Sequence, residues 1–381
     1  MTILRIVADA NMPGLDGLEG ASVEYREGRQ IEASHLQDAD ALLVRSVTQV
    51  NKELLDGTAV RFVGTATSGF DHIDRAYLDE AGIAFSHAPG SNANSVVEYV
   101  LAAIARIDGY LEQCLAGEKI GVVGFGNIGK LLCQRLTALG MEFCCYDPWL
   151  EQSHVTNAAS LDEVLACRVI TLHPSLTVTA PWPSRHLLGD EELSRIASDQ
   201  LLINASRGEV IDNAALLKQL KREPEWPVVL DVWEGEPALD SDLLEQVVIG
   251  SAHIAGYSLD SKFKATAMLL SAMAQSLGLP EFGAEFSTQK QEPIKAPPTQ
   301  GGVDTLRSLL CARYQIMDDD KLLRETALEA AGDSQLMAAG FDRLRKTYAV
   351  RRELIGSRIT DAQPGAYSLI RALGCTPEEA H

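Results

Sequence analysis

The sequence predicts an α/β protein with a doubly wound parallel-sheet domain, a smaller α/β domain and a short α-rich module toward the C-terminus. Three observations predict this. Short apolar runs alternate with helix-like stretches from the N-terminus to about residue 250, the pattern of parallel strands joined by crossover helices. The glycine-rich segment Gly124-Phe-Gly126-Asn-Ile-Gly129 follows one such run and opens a helix-like stretch. Further on, three apolar runs lead into Asn204-Ala-Ser-Arg207, Asp231-Val-Trp-Glu-Gly-Glu236 and Ser251-Ala-His253.

Taken in order, Ile3–Ala8, Ala41–Val44, Phe62–Ala66 and Ile83–Ser86 read as the strands of a small parallel β/α unit. Ser95-Val-Val-Glu98 reads as a capping box opening a helix through Ile107. Lys119–Val123 is the next strand, followed by Phe143–Tyr146, Val169–Leu172, Leu201–Ile203, Val228–Leu230 and Val247–Ile249. Six strands suit a full doubly wound dinucleotide domain. A helix from Ser261 to about Leu277 comes next. The Pro-, Gly- and Gln-rich stretch Gln289–Gly302 reads as a linker or exposed arm. Residues 303–381 read as mainly helical. Leu306, Leu309, Leu310 and Arg313 share one face, Phe341, Leu344 and Tyr348 another, and Asp318–Asp320 is expected to cap the helix after it. This tail needs a surface to pack on, and a second subunit is the first choice.

At 381 residues the chain is long enough for two or three domains, with the 46% apolar and 23% charged content of globular proteins. No run approaches the roughly 20 apolar residues of a membrane span. The N-terminus reads as a first strand rather than a signal peptide, so a cytoplasmic setting is expected. The 7 cysteines are scattered, without a C-x-x-C, which argues against a zinc site or a disulfide framework. No metal is expected, and Cys133, Cys144, Cys145 and Cys167 read as small core residues with reduced thiols. A formal net charge of -20 argues against nucleic acid or an anionic membrane as partner. In so acidic a chain, an arginine at a strand end is informative.

The glycine segment fits a dinucleotide site. Gly124 makes the tight turn, Gly126 lets the backbone approach a pyrophosphate, and Gly129 allows close helix packing. The helix N-terminus adds positive potential. Asp147, ending the run Phe143–Tyr146, stands about where an acidic residue would accept the ribose hydroxyls and repel a 2′-phosphate. NAD is therefore expected over NADP.

Singly, each also has a bland reading: Arg207 as a surface cation, Glu236 as a turn residue before Pro237, and His253 as a satisfied strand-end histidine. Together, downstream of a dinucleotide fingerprint and at one sheet edge, they supply hydroxy-acid chemistry. Neutral His253 accepts the hydroxyl proton as hydride leaves the same carbon. Arg207 holds the carboxylate through its planar fork. Glu236 orients the imidazole and stabilises its protonated form.

These segments, with Leu172-His173-Pro174, resemble the D-isomer-specific 2-hydroxyacid dehydrogenase family over roughly residues 1–280. Val44-Arg-Ser-Val-Thr48, Gly64–Asp74, Gly90–Asn94, Val97-Glu-Tyr-Val100 and His253–Ser258 narrow the resemblance to a branch that carries an extra C-terminal domain. The resemblance implies a Rossmann-like cofactor domain (93–256), a flavodoxin-like substrate domain (1–92 plus 257–283), a linker (284–302) and an α-rich dimerisation domain (303–381). It implies Arg207, Glu236 and His253 as catalytic residues. NAD contacts would come from Gly124, Gly126, Asn127, Ile128, Gly129, Asp147, Ser206, Arg207, Asp231 and Gly256. Ser46, Thr67 and Tyr257 would bind a small phosphorylated hydroxy acid, and the chain would form a homodimer. His173-Pro-Ser-Leu departs from the family's His-x-Pro-Leu, and Ser91 stands where the branch often has Cys. Arg45 reads equally as a phosphate ligand or an ion-pair partner. The alternatives are a dehydrogenase of another 2-hydroxy acid, a non-enzymatic NAD-sensing co-regulator, or a dimeric scaffold.

Overall fold

The computed structural model describes residues 3–282, 291–297 and 302–378. Of the stretch expected as a linker, 284–290 and 298–301 lie outside the described residues, as do 379–381 of the tail. The chain divides into two compact units, residues 1–92 with 258–290, and 93–257 with 291–381.

The first unit is built on a five-stranded parallel sheet: β1 (Leu4–Asp9), β2 (Ala21–Arg26), β3 (Ala41–Val44), β4 (Phe62–Thr65) and β5 (Ala84–His87). Its order, β2-β1-β3-β4-β5, is the flavodoxin-like one. Leu42, Val44 and Val63 bury one face against Leu78. Leu43 and Phe62 bury the other against Leu269 and Met273 of the helix Leu259–Leu277. Strand β2 is not legible as an apolar run, because Ala-Ser-Val-Glu-Tyr-Arg lies on a largely exposed edge.

The second unit holds six parallel strands: β6 (Ile120–Val123), β7 (Phe143–Tyr146), β8 (Val169–Leu172), β9 (Leu201–Asn204), β10 (Val228–Leu230) and β11 (Ile249–Gly250). The order β11-β10-β9-β8-β6-β7 reverses direction between β6 and β8, and a ligand crevice opens beyond the strand ends at such a switch point. Strand β11 starts later than expected, because Val247 caps the helix Ser241–Gln246 instead.

The helix expected from Ser95 begins at Ala93 and runs to Arg106, so no capping box forms. Ser95 and Glu98 point to the tail instead. Ser95 Oγ donates to Glu353 at 2.5 Å, and Glu98 accepts the Leu354 and Ile355 N–H groups at 2.7 and 3.0 Å. Burial and the neighbouring Glu353 push the Glu98 carboxyl up to about 7.

The tail folds onto its own chain. Within the stretch expected as a linker, Ile294–Lys295 forms β12. It joins β13 (Arg358–Thr360) and β14 (Thr376–Pro377) in a small parallel sheet. Leu306 and Leu309 of the helix Gly302–Arg313 share a core with Ile104 and Leu201, while Leu323 and Phe341 join Leu230 and Leu244 on the other face. The tail thereby covers the β11 edge of the cofactor sheet in its own chain, whereas a second subunit is the first surface expected for it from sequence. Asp318–Asp320 do not cap a following helix. They lie inside the helix Ile316–Ala330. Buried Asp320 accepts the Gly250 N–H at 2.8 Å and pairs with Arg324, which donates to Leu244 O and Val247 O.

All 7 cysteines are free thiols. Cys133, Cys145 and Cys167 are buried, whereas Cys144 faces partly outward. Among the described residues no cluster of His, Cys, Asp and Glu could hold a metal, and no helix is long and apolar enough to cross a membrane.

Candidate active site

At the switch point, Gly124 has φ +91°, and a Cβ there would strike the His173–Pro174 backbone at 2.7–2.9 Å. A Cβ on Gly129 would meet Gly124 O at 2.0 Å, so the close helix–strand approach requires glycine. At exposed Gly126 a Cβ would meet nothing within 4 Å. That open side is where a cofactor's pyrophosphate needs room. Gly126 also precedes the helix Asn127–Leu139, whose first N–H groups have no intrahelical partners. Asp147 accepts from Phe125 N (2.8 Å) and Trp149 N (3.0 Å), fixing the glycine loop, and its carboxylate has lone pairs that could accept further hydroxyls. A cavity of about 410 Å³ runs from these groups past His173, Pro174 and Thr177 to Trp182. His173 donates or accepts at Thr171 through Nε2, while its buried Nδ1 has no hydrogen-bond partner among the described residues. Burial pushes this imidazole down to about 3, so it stays neutral.

The expected trio lies at the ends of β9, β10 and β11 in this same unit. His253 Nδ1 and Glu236 Oε1 form a hydrogen bond. A carboxylate can only accept, so Nδ1 carries the proton and Nε2 is the nitrogen that can face a substrate. Burial raises the Glu236 carboxyl, but His253, the charge of Arg345 and the Trp233 N–H outweigh it and hold Glu236 below its ordinary range. Glu236 is therefore an anion at neutral pH. Half-buried Arg207 donates to Ser206 O at 2.8 Å. Its loop is set by Asn204, which accepts from Ser206 N and Oγ and donates to Arg207 O.

Buried Asp231 accepts from Ser251 Oγ (2.7 Å), Ile254 N (2.8 Å) and Ala255 N (3.0 Å), and its own carbonyl accepts from His253 N. It thus shapes the turn that holds His253 at φ +54°. Gly256 and Tyr257 end this turn, half-buried. The other substrate candidates, Ser46 and Thr67, belong to the first unit, just beyond β3 and β4. Both are half-buried, and Thr67 Oγ1 donates to Gly69 O at 2.6 Å. Arg45 pairs with buried Asp9 at 3.1 Å, which meets the ion-pair reading.

Several supports were not legible beforehand. Tyr99 OH bonds Ser251 Oγ at 2.8 Å, and Trp233 Nε1 donates to Ser251 O at 2.9 Å, tying the β10 and β11 loops together. Gly208 lies against the Trp233–Glu234 backbone, where a Cβ would be 2.0 Å from Trp233 C. Only the Arg-Gly pairing in the sequence hints at this approach.

Comparison with known proteins agrees with the geometry. Residues 100–255 match the family model described as "D-isomer specific 2-hydroxyacid dehydrogenase, NAD binding domain", which makes NAD the cofactor. Residues 294–374 match a domain of unknown function. The chain is 44% identical over 363 residues to erythronate-4-phosphate dehydrogenase of Cellvibrio japonicus, covering 92% of this chain and 93% of that one. It is 41% identical to the enzyme of that name from Teredinibacter turnerae, over 99% and 100% of the two chains. D-lactate dehydrogenase of Aquifex aeolicus, solved with NAD and lactic acid, superposes with a TM-score of 0.58 at 24% identity. It covers 72% of this chain and 96% of its own. The chain belongs to the D-isomer-specific 2-hydroxyacid dehydrogenase family, in its erythronate-4-phosphate dehydrogenase branch.

Proposed function

We propose that the chain oxidises 4-phospho-D-erythronate to its 2-oxo acid with NAD, a step of pyridoxal phosphate (vitamin B6) biosynthesis. The observation that carries this reading is the Glu236–His253 pair, set at the same strand ends as Arg207 and in the same unit as the glycine cradle. Bound NAD supplies the hydride acceptor for C2. His253 Nε2 takes the proton of the C2 hydroxyl as the C2–H bond breaks, and Glu236 stabilises the imidazolium that forms. Arg207 binds the substrate carboxylate and polarises the developing carbonyl.

Gly124, Gly126, Asn127, Ile128 and Gly129 bind the pyrophosphate, and Asp147 the adenosine ribose. Ser206, Asp231 and Gly256 serve the nicotinamide end. Ser46, Thr67 and Tyr257 give hydroxyls to the substrate. In this reading residues 1–92 with 257–283 form the substrate domain, and 303–381 the dimerisation domain of a homodimer. Exposed Leu322, Leu328 and Leu336 (47%, 77% and 57%) support the dimer, and sedimentation of a Leu328→Lys variant as monomer would test it. Seven free thiols agree with a cytoplasmic setting.

The decisive assay supplies purified protein with NAD and either 4-phosphoerythronate or 3-phosphoglycerate, then identifies the oxo acid. Preference for 4-phosphoerythronate is expected. Turnover of 3-phosphoglycerate alone would overturn the substrate, and turnover of neither would favour a non-catalytic role.

A further inference from the structure

The tail does more than cover a sheet edge, because three of its side chains converge on the turn that carries His253 and Tyr257. Arg351 is buried and donates to Ala255 O at 2.7 Å and to Ser95 O at 3.2 Å, with its guanidinium 4.2 Å from the Tyr314 ring centre. Tyr348 packs edge-on against Tyr257, with ring centres 5.9 Å apart, and donates its hydroxyl to Asp319. Arg345 stands in the last turn of the helix Ser334–Lys346. Its guanidinium lies 5.6 Å from the Tyr257 ring centre and 5.9 Å from that of Phe341. It also hydrogen-bonds the Tyr257 side chain, and it is one of the charges that keep Glu236 ionised.

We propose that Arg345 is a positioning residue of the active site: seated on Tyr257, it fixes that ring and adds a positive charge near the Glu236–His253 pair, so that the C-terminal module takes part in binding an anionic substrate. The inference rests on Tyr257 and the Glu236–His253 pair serving the roles proposed above. Three physical points carry it. Cation–π contact and a hydrogen bond together restrict both χ angles of Tyr257, where packing by Tyr348 alone would leave the hydroxyl free to turn. A guanidinium keeps its charge at any working pH, so the contribution is constant. In a chain of net charge -20, a fixed cation near the catalytic pair offsets a field that would otherwise repel a substrate bearing both carboxylate and phosphate.

The test uses the full-length protein with 4-phosphoerythronate and NAD, and compares wild type with Arg345→Met, Arg345→Lys, Tyr257→Phe and the Arg345→Met/Tyr257→Phe double variant. Arg343→Met is the control. It sits on the same helix, with its side chain 60% exposed and paired to Glu329. Arg345→Met should raise KM for the hydroxy acid about tenfold or more while NAD affinity stays within about twofold. Arg345→Lys should recover part of the loss, because it restores the charge but not the planar fork. The effects of Arg345→Met and Tyr257→Phe should be less than additive. Wild-type KM in Arg345→Met, or full additivity with Tyr257→Phe, would overturn the inference. If Arg345→Met failed to bind NAD through misfolding, Arg345→Lys would decide. A KM raised about threefold supports the inference, and an unchanged KM overturns it. An inactive wild type would sink the proposed function and this inference together, whereas an active wild type with unaltered variants would sink this inference alone.

Discussion

Replacing Gly208 with alanine should separate the segments that carry Arg207 and Glu236. The new Cβ would sit 2.0 Å from Trp233 C, 2.2 Å from Trp233 O and 2.3 Å from Glu234 N, all backbone atoms that no rotamer change can move. Ordinary contact begins near 3.4 Å, so the two segments must part by about 1.4 Å. Trp233 cannot retreat freely. It is 1% exposed, and its indole is bonded to Ser251 O on the neighbouring loop. Overpacking of this kind costs about 1–3 kcal/mol of stability. The catalytic cost should be larger, since a misplacement of about 1 Å at reacting groups lowers turnover roughly a hundredfold. Steady-state kinetics with 4-phosphoerythronate, alongside NAD titration and thermal melting, separates the two effects. The expected result is kcat down about a hundredfold with NAD affinity nearly intact, because the glycine cradle lies on other loops. Turnover within about twofold of wild type would refute the idea that this backbone approach sets the Arg207–Glu236 spacing.

His253→Ala should lose at least about a thousandfold in kcat, and Glu236→Gln about a hundredfold, both with unchanged NAD affinity by calorimetry. Asp147→Ser should narrow the preference for NAD over NADP by at least about tenfold, read as the ratio of kcat/KM values. Glu98→Gln should act on stability in a pH-dependent way. The folded carboxyl lies near 7, above its ordinary 4.5, so its favourable contribution is complete below 4.5 and is lost as pH rises through about 7. The Gln variant should therefore melt higher than wild type at pH 8 and about equally at pH 5. A melting difference that stayed constant with pH would exclude that ionisation as the cause.

The strands and loops that face chemistry were legible because their constraints are local. Buried parallel strands must be apolar along their whole length, which marks β6 to β10, and a glycine turn before a helix has few purposes. Strand β2 escaped notice because an exposed edge needs no apolar run. The Ser95–Glu98 pattern misled for a different reason. Its residue types suit a capping box, yet tertiary contacts with Glu353, Leu354 and Ile355 claim them, and the helix starts at Ala93 instead. Asp320 shows the same override, bonding Gly250 seventy positions away in sequence. Arg207, Glu236 and His253 could be picked out by type and by strand-end position. Tyr99, Ser251, Trp233 and Arg345 could not, since nothing local distinguishes them from ordinary core or surface residues.

The bond from Arg351 to Ala255 spans 96 residues of chain, and this gives the protein a timetable. A growing polypeptide that has reached Tyr257 already contains all three groups of the Arg207–Glu236–His253 trio and the whole cofactor sheet. Its β11 edge is still bare, and the turn bearing His253 lacks its grip from Arg345, Tyr348 and Arg351. At translation rates of about 5–20 residues per second, that interval lasts roughly 5–20 seconds. Nascent chains halted in that window should bind NAD but bind the hydroxy acid more weakly than the finished chain, and a hydroxy-acid KM equal to that of the full chain would exclude a role for the tail.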